Sequence, residues 1–377
     1  MIGLFKNSEL FQDVAAGLCA FLLTVLLVPL CKRLAYRLDL VDRPKSEQHK
    51  QHGRETPLLG GFAMFGGWIL TLALAFVLIW FVPCFSGIFE GRADFAVGGR
   101  ELLAVVGCAF FSLLLGFLDD RKPMKASVKF GGQFLIALAV VLAGGLRISL
   151  FVPSELFSIA VTVLWIMFIF NAINFFDNMD GLAVGTASIA FAMFLGAALF
   201  NGQFLVAALC ACSFGAAAGF WVFNFHPARM FMGDAGSHFL GFLLAVVSIK
   251  VSYYNPEFAG SRFAVLIPLI ILAVPIFDAL AVVWIRIRNG KPFYVGDNNH
   301  ISHRFLHMGF SRATSVMLEF SRATSVMLVH LLALTIGLGA LPILWGDWMT
   351  CALLLAQSVV FLTILCVVQC AGKQKEN

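Results

Sequence analysis

Side chains that can bind metals or phosphates are concentrated in a few short stretches between long apolar segments. Three of these stretches carry acids and amides: Asp119-Asp120, the run NAINFFDNMDG at 171–181, and Asp234 within NFHPARMFMGDAGS at 224–237. An acid at membrane depth costs at least ~2.5–3.5 kcal/mol, so each of these needs a partner or a function. Because Mg²⁺ is commonly bound by one or two carboxylates together with substrate phosphates, the three stretches together predict a metal-dependent phosphate site.

Two further stretches offer imidazole, guanidinium and backbone groups. HISHR supplies His300, His303 and Arg304, and such side chains suit a diphosphate that must be held while a bond to it breaks. Zinc is the rival ligand for the histidines, although the stretch has no cysteine and no HExxH pattern. The other stretch contains His52 and Gly60-Gly61, and it could equally be ordinary loop sequence.

The acidic clusters also have structural alternatives that the sequence leaves open. Asp119 and Asp120 could end a solvated helix and be neutralised by Arg121 and Lys122. The 171–181 run could form a polar network between helices, and a Gly-Asp pair such as the one before Ala235 is common in turns. The conjunction of all five stretches favours one phosphate-handling site over these separate explanations.

The spacing within the polar runs predicts local backbone features. Asn174 and Asp177 can meet at a spacing of three, but a straight helix would turn the two ends of the run to opposite sides. We therefore expect the helix to end near Asp177 and Asp180-Gly181 to form a turn. Glycines around Asp234 allow close backbone approach, and the N–H groups of the helix that follows favour an anion.

The composition defines the elements that must position these side chains. The chain has 377 residues, of which 60% are hydrophobic and only 12% are charged. Soluble domains average about 45–50% apolar and about 25% charged residues, so the composition predicts a multi-spanning membrane protein. It excludes a disordered chain, a disulfide-rich secreted fold and an ordinary nucleic-acid-binding domain. The net charge of +5 does not indicate nucleic-acid binding, because the charged residues lie in short loops. The nine cysteines form no CxxC pair.

Eleven apolar stretches approach the ~20 residues that a helix needs to cross a bilayer. They cover 14–31, 60–82, 102–118, 130–146, 156–175, 182–200, 204–224, 236–253, 263–285, 326–345 and 349–371. Helices are the expected spanning structure, because backbone polar groups in lipid must be satisfied internally. The predicted fold class is an all-α polytopic integral membrane protein with about 11 transmembrane helices.

The basic residues predict how these helices are oriented. Twenty of the 26 Lys and Arg residues fall in 32–58, 119–129, 225–235, 286–325 and the C-terminal tail. By the positive-inside rule the N-terminus faces outward and the C-terminus is cytoplasmic. The chain is then a single transmembrane catalytic domain, 1–377, with cytoplasmic loops 32–58, 119–129, 176–181, 225–235 and 286–325, and all five clusters share one membrane face. Phe310–Leu318 recurs unchanged at Phe320–Leu328, which we interpret as a local duplication without added chemistry.

The five stretches, in this order, resemble the polyprenyl-phosphate N-acetylhexosamine-1-phosphate transferase family from about Asp42 to Phe305. The resemblance implies an enzyme of the bacterial inner (cytoplasmic) membrane that joins the sugar phosphate of UDP-N-acetylglucosamine to undecaprenyl phosphate and releases UMP. It implies Mg²⁺, or Mn²⁺, as the cofactor and a cell-envelope glycan as the product pathway. The expected partners are the two reactants and membrane lipid, with a homodimer as a further expectation and no nucleic acid.

The resemblance also implies roles for residues that match the family motifs. Asp234 and Asn174 match metal positions, with Asp119 and Asp120 near the lipid phosphate and the metal. The implied catalytic residues are Asp119, Asp120, Lys129, Asp180, His300, His303 and Arg304. The implied substrate-binding residues are His52, Gly60, Gly61, Asn171, Asn174, Asp177 and Gly181.

Two departures from the family pattern affect these roles. Ser302 stands where the branch usually has a histidine, and the spacing from Asp42 to His52 is about two residues longer than usual. Within the family, the alternative donor is UDP-N-acetylmuramoyl-pentapeptide, although that branch carries a longer histidine run than HISHR. A secondary transporter is the alternative from another class, but it predicts acids near mid-span and an inverted repeat.

Overall fold

Long helices make up nearly all of the part of the chain that the computed structural model describes. The structure describes residues 7–43, 55–81, 92–148, 152–251, 265–292, 294, 300, 326–327 and 329–338. The helices in these ranges are α1 (Asn7–Arg37), α2 (Gly60–Phe81), α3 (Arg92–Arg121), α4 (Ala126–Gly144), α5 (Glu155–Phe176), α6 (Leu182–Phe200), α7 (Phe204–Asn224), α8 (Gly233–Lys250), α9 (Ile267–Ile271), α10 (Ala273–Arg288) and α11 (Val329–Leu338).

Seven helices within the described ranges, α1 to α7, are long and apolar enough to cross a membrane. This supports the predicted class of a polytopic, helical membrane protein. The small addition is a two-residue ribbon, in which β1 (Val41–Asp42) pairs antiparallel with β2 (Thr56–Pro57). The ribbon ties the end of α1 to the start of α2.

The central element is α8, whose residues from Ala235 to Ser248 are all buried. It packs against α2, α3, α5, α6 and α7. Its first turns contain the polar segment that includes Asp234, so the surrounding helices converge on this end of α8. The centre of the fold therefore brings sequence-distant polar stretches together.

The first eight predicted spans each coincide with a helix, and the ends differ by up to ten residues. The largest shift is in α3, which begins at Arg92 rather than at residue 102. The predicted span 263–285 contains α9 and most of α10, which are separated by a break at one residue, Leu272, with Pro268 and Pro275 on either side. Proline cannot donate a backbone hydrogen bond within a helix, which favours such a break. The predicted span 349–371 lies outside the described residues.

Candidate active site

Lys129, on the first turns of α4, is the cation at the centre of the polar clusters. Its Nζ donates to Asp119 Oδ2 at 2.7 Å and to Asp234 Oδ2 at 2.8 Å, and it lies 3.4 Å from Asn174 Oδ1. Asn174 Nδ2 donates in turn to Asp234 Oδ1 at 2.7 Å and to Ser237 Oγ at 2.9 Å. The C-terminal ends of α3 and α5 and the N-terminal ends of α4 and α8 therefore meet at one charged cluster, as the sequence predicts.

The adjacent carboxylates Asp119 and Asp120 point to different partners. Asp119 accepts from Lys129 and from the backbone N–H of Met124. Asp120 accepts from the backbone N–H groups of Asp234 and Ala235, at 2.7 and 3.0 Å. Asp120 thus caps the N-terminus of α8, where two N–H groups have no partner within the helix. These partners argue against the alternative in which Arg121 and Lys122 neutralise the pair.

Glycines bring the helices around Asp234 to backbone contact. A Cβ at Gly116 of α3 would overlap the carbonyl of Asp234, and a Cβ at Gly61 would overlap the backbone of Gly236. The N–H groups of Gly60 and Gly61 donate to the carbonyls of Phe231 and Met232 at 3.0 Å. Gly60 and Gly61, expected to bind substrate, therefore fasten the start of α2 to the segment that precedes α8.

Asn171 takes part in a polar network below the charged cluster. Its side chain exchanges hydrogen bonds with Gln133 of α4, and Asn171 Nδ2 also donates to the carbonyl of Met167. Gln133 Nε2 lies 3.2 Å from His238 Nε2, and His238 Nδ1 lies 2.7 Å from the carbonyl oxygen of Asp234. This is the inter-helix network that the sequence left open, and it supports the backbone that carries Asp234.

The predicted turn after α5 is confirmed. The helix ends at Phe176 with Asp177 at its C-cap, and Gly181 has φ +73°, a conformation that glycine adopts readily. Burial raises the pKa of Asp177 well above its usual range, and the carboxylates of Asp234, Asp120 and Asp180 raise it further. A carboxyl that resists ionisation beside three others marks this turn as a place where added positive charge is favourable.

Asp180 and Gly181 are held by the segment that follows α7. Asp180 Oδ2 accepts from the backbone N–H of Ala228 at 3.0 Å and lies 2.9 Å from His226 Nδ1. The N–H of Gly181 donates to Asn224 Oδ1 at 3.0 Å. Side chains therefore join the polar run at 171–181 directly to the stretch at 224–237.

His300 forms a buried pair with an acid of α10. Its Nδ1 lies 2.7 Å from Asp278 Oδ2, and both side chains are at most 5% exposed. Arg286, also on α10 and 2% exposed, places its Cζ 5.1 Å from the ring centre of Phe175, next to Asn174. His52, His303 and Arg304 lie outside the described residues.

Several residues of this site were missed by sequence reasoning. Asp278 had a clear signal, because it is the one acid within the predicted span 263–285 and intramembrane acids usually have a function. His238 had a weaker signal, since it directly follows the polar stretch 224–237; Ser237 lies within that stretch but was given no role. Gly116 had none, because only the packing of α3 against α8 makes its missing side chain necessary.

The oxygen atoms around Lys129 fit a hard divalent cation. The donors are two carboxylates, of Asp119 and Asp234, and the amide oxygen of Asn174, all directed at one positive centre. Within the described part of the chain, no group of three or more His, Cys, Asp or Glu side chains could hold a metal. A cation here would take its remaining ligands from water and reactant phosphates, which is how proteins usually bind Mg²⁺.

Comparison with known proteins places this arrangement in a family. Residues 102–252 match the sequence model of glycosyl transferase family 4. The chain is 34% identical over 320 residues to a probable undecaprenyl-phosphate N-acetylglucosaminyl 1-phosphate transferase of Bacillus subtilis (strain 168), covering 83% of this chain and 82% of that protein. It is 30% identical over 329 residues to the decaprenyl-phosphate N-acetylglucosaminephosphotransferase of Mycobacterium tuberculosis (strain ATCC 25618 / H37Rv), covering 80% and 78%.

A relative with a different printed activity matches a shorter part of the chain. The phospho-N-acetylmuramoyl-pentapeptide-transferase of Geobacillus kaustophilus (strain HTA426) is 35% identical over 254 residues, covering 63% of this chain and 74% of that protein. The clusters at Asp119, Asn174 and Asp234 all fall within the matched family region. This chain belongs to glycosyl transferase family 4, the polyprenyl-phosphate N-acetylhexosamine-1-phosphate transferases that its motifs resemble.

Proposed function

We propose that this protein transfers N-acetylglucosamine-1-phosphate from UDP-N-acetylglucosamine to undecaprenyl phosphate, releasing UMP. The product would start a lipid-linked glycan of the cell envelope. The observation that carries the proposal is the convergence of Asp119, Asn174 and Asp234 on Lys129. The Bacillus and Mycobacterium relatives described above match at least 80% of this chain and carry printed names with N-acetylglucosamine, which favours this sugar over the muramoyl-pentapeptide.

The reaction forms one bond to phosphorus and breaks another. A phosphate oxygen of the lipid attacks the β-phosphorus of the UDP-sugar, and the bond from that phosphorus to the bridging oxygen breaks, so that UMP leaves with the electron pair. Phosphoryl transfer of this kind depends mainly on positioning and on neutralising charge. Lys129 provides a fixed ammonium for this purpose, while Asn174 holds one oxygen of Asp234 in place.

The contacts of the two adjacent acids support different roles for them. Both oxygens of Asp120 are engaged by backbone N–H groups at the start of α8, so Asp120 supports Asp234 rather than a reactant. Asp119 shares Lys129 with Asp234, which makes it the better candidate to receive the proton of the lipid phosphate or to contact a metal ion.

We further propose Mg²⁺, with Mn²⁺ as an alternative, as the cofactor. Asp119, Asp234 and Asn174 would hold it, because their oxygens already surround a cation. When bound, the ion would neutralise charge on the reacting phosphates. Lys129 would then share the carboxylates with the ion and turn part of its charge toward the reactants.

The topology we propose places this chemistry at the cytoplasmic face of the inner membrane. Eleven spans with an outward N-terminus and a cytoplasmic C-terminus satisfy the distribution of Lys and Arg. The donor is a soluble nucleotide sugar and the acceptor phosphate lies at the membrane interface, so a site at that face reaches both. Assembly of the chain as a homodimer is part of the same proposal.

The test is a UMP-release assay on the purified full-length protein in detergent. Undecaprenyl phosphate is combined with UDP-N-acetylglucosamine, UDP-N-acetylgalactosamine or UDP-N-acetylmuramoyl-pentapeptide, each with Mg²⁺, with Mn²⁺ or with EDTA. We expect lipid-dependent and metal-dependent UMP release from UDP-N-acetylglucosamine. Release from the muramoyl-pentapeptide donor alone would refute the proposed sugar, and full activity in EDTA would refute the proposed cofactor.

A further inference from the structure

The buried face of α10 carries one acid and one base among apolar residues. Asp278, Val282 and Arg286 are spaced by four and share this face, which packs toward α5. Leu280, Trp284 and Ile287 on the other side are exposed, as expected of a lipid-facing surface. Asp278 and Arg286 are therefore directed into the protein rather than toward lipid, whereas Arg288 at the end of the helix is exposed.

Two contacts link this face to residues of the predicted active site. Arg286 stacks on Phe175, whose neighbour Asn174 binds Asp234 and lies beside Lys129. Asp278, fully buried, lies 2.7 Å from His300 Nδ1. A buried carboxylate is costly unless it is hydrogen-bonded, so this contact constrains both partners.

The contact between Asp278 and His300 determines which ring nitrogen of the imidazole is available to a reactant. A carboxylate can only accept, so Nδ1 must carry a proton in the hydrogen bond to Asp278. The other nitrogen, Nε2, is then left to accept from or donate to a reactant. Carboxylates that hold one ring nitrogen in this way fix both the tautomer and the orientation of functional histidines.

We propose that Asp278 is a positioning residue, which fixes His300 with Nδ1 protonated and directs Nε2 to the diphosphate of the reactants. This inference rests on the proposed function, because it assumes that His300 handles a diphosphate. Asp278 itself touches no reactant and acts through His300. Its place on α10, together with Arg286, couples the position of His300 to the end of α5 that carries Asn174.

The first experiment is a double-mutant cycle of Asp278→Asn and His300→Gln, measured as kcat and KM for UMP release by the full-length protein. We expect Asp278→Asn to lower kcat about 10–100-fold, the range typical when hydrogen-bonding partners of metal-binding histidines are removed. In the His300→Gln background, Asp278→Asn should have almost no further effect. Additive losses would overturn the proposal, because a residue with a separate structural role does not need His300.

Ser248→Ala is the matched control, since it removes another buried hydrogen bond, from Trp165 Nε1 at 2.9 Å, away from the site. We expect Ser248→Ala to leave kcat unchanged, both in the wild-type protein and in His300→Gln. Asp278→Glu retains a carboxylate and should recover part of the activity lost in Asp278→Asn. If the Glu and Asn variants are equally impaired, the carboxylate is not what positions His300.

A second measurement is independent of activity and remains informative if Asp278→Asn folds poorly in detergent. Solid-state NMR of full-length protein with ¹⁵N-labelled histidine, in lipid bilayers, reports the protonation of each ring nitrogen. The His300 signals are assigned by their loss in His300→Gln. We expect a protonated Nδ1 in the wild type and a changed tautomer in Asp278→Asn, whereas unchanged signals would overturn the proposal.

The two experiments separate this inference from the proposed function. A wild-type protein that releases no UMP from any tested donor refutes the proposed function, and the diphosphate role of His300 falls with it. In that case the NMR result still decides whether Asp278 fixes the imidazole. An active wild type with an unaffected Asp278→Asn variant leaves the function standing and refutes the positioning role alone.

Discussion

Asp119 and Asp120 are neighbours in sequence, yet the structure predicts opposite consequences when each is replaced. Asp120→Ala removes the acceptor of two backbone N–H groups at the start of α8, at 2.7 and 3.0 Å. Hydrogen bonds to charged groups contribute about 1.5–3 kcal/mol each, and loss of a helix N-cap costs about 0.5–2 kcal/mol. We therefore expect Asp120→Ala to lose about 2–4 kcal/mol of stability.

Asp119→Asn should behave differently, because Lys129 keeps its second carboxylate partner, Asp234. Its stability should fall by less than half of the loss in Asp120→Ala. Its activity should fall about 10²–10³-fold, the cost of removing one electrostatic contact from a reacting centre. Comparing the two variants thus distinguishes a residue that stabilises the structure of the site, Asp120, from one that contributes to the reaction, Asp119.

The assay is thermal unfolding in detergent, followed with a thiol-reactive dye, beside UMP release at a temperature where all variants are folded. For Asp120→Ala the expected decrease of Tm is roughly 5–10 °C. An Asp120→Ala variant that melts with the wild type would refute the capping role. An Asp119→Asn variant that melts early but retains its activity would reverse the assignment of the two residues.

Three further substitutions test the rest of the site. Lys129→Met leaves the carboxylates of Asp119 and Asp234 without their ammonium. The kcat should therefore fall about 10²–10³-fold, and added Mg²⁺ should raise Tm more than it does in the wild type. An equal rise of Tm with Mg²⁺ in both proteins would contradict this. Asp177→Asn should raise Tm relative to the wild type, and the difference should grow with pH. The pKa of Asp177 is raised on folding, so the wild-type protein loses stability as pH rises from the unfolded pKa of this group toward its folded pKa. This is measured in EDTA between pH 5 and 8, and a Tm difference that shrinks with pH would show that the sign is wrong. Gly61→Ala would overlap the backbone of Gly236 and should lower Tm by several degrees, whereas Gly107→Ala, whose Cβ meets nothing within 4 Å, should not; equal Tm values would contradict the close packing.

The sequence predicts the helices and the identity of the central residues well, because both follow from local patterns. Apolar length gives the first eight helices, and expensive polar residues at their ends mark Asp119, Asn174 and Asp234. The helix end at Asp177 and the turn at Gly181 also follow, since the run could not keep one face on a straight helix.

Partner choice could not be predicted, since it depends on how the helices pack. Nothing in the pair Asp119-Asp120 indicates that one acid contacts Lys129 while the other caps α8. The same applies to Gly60 and Gly61, whose N–H groups are taken by backbone carbonyls rather than left to a substrate. The break at Leu272 was not predicted because the residues around it are as apolar as those of a continuous span, although Pro268 and Pro275 were a sequence signal for it.

The ammonium of Lys129 has a consequence for how the protein is made. Two carboxylates facing each other without a counterion would repel and oppose assembly of the helices that carry them. Since the chain brings its own counterion to Asp119 and Asp234, insertion and folding can be completed before any divalent ion arrives. Under the proposed Mg²⁺ dependence, a shortage of the metal in a cell should then inactivate existing molecules and leave their number unchanged.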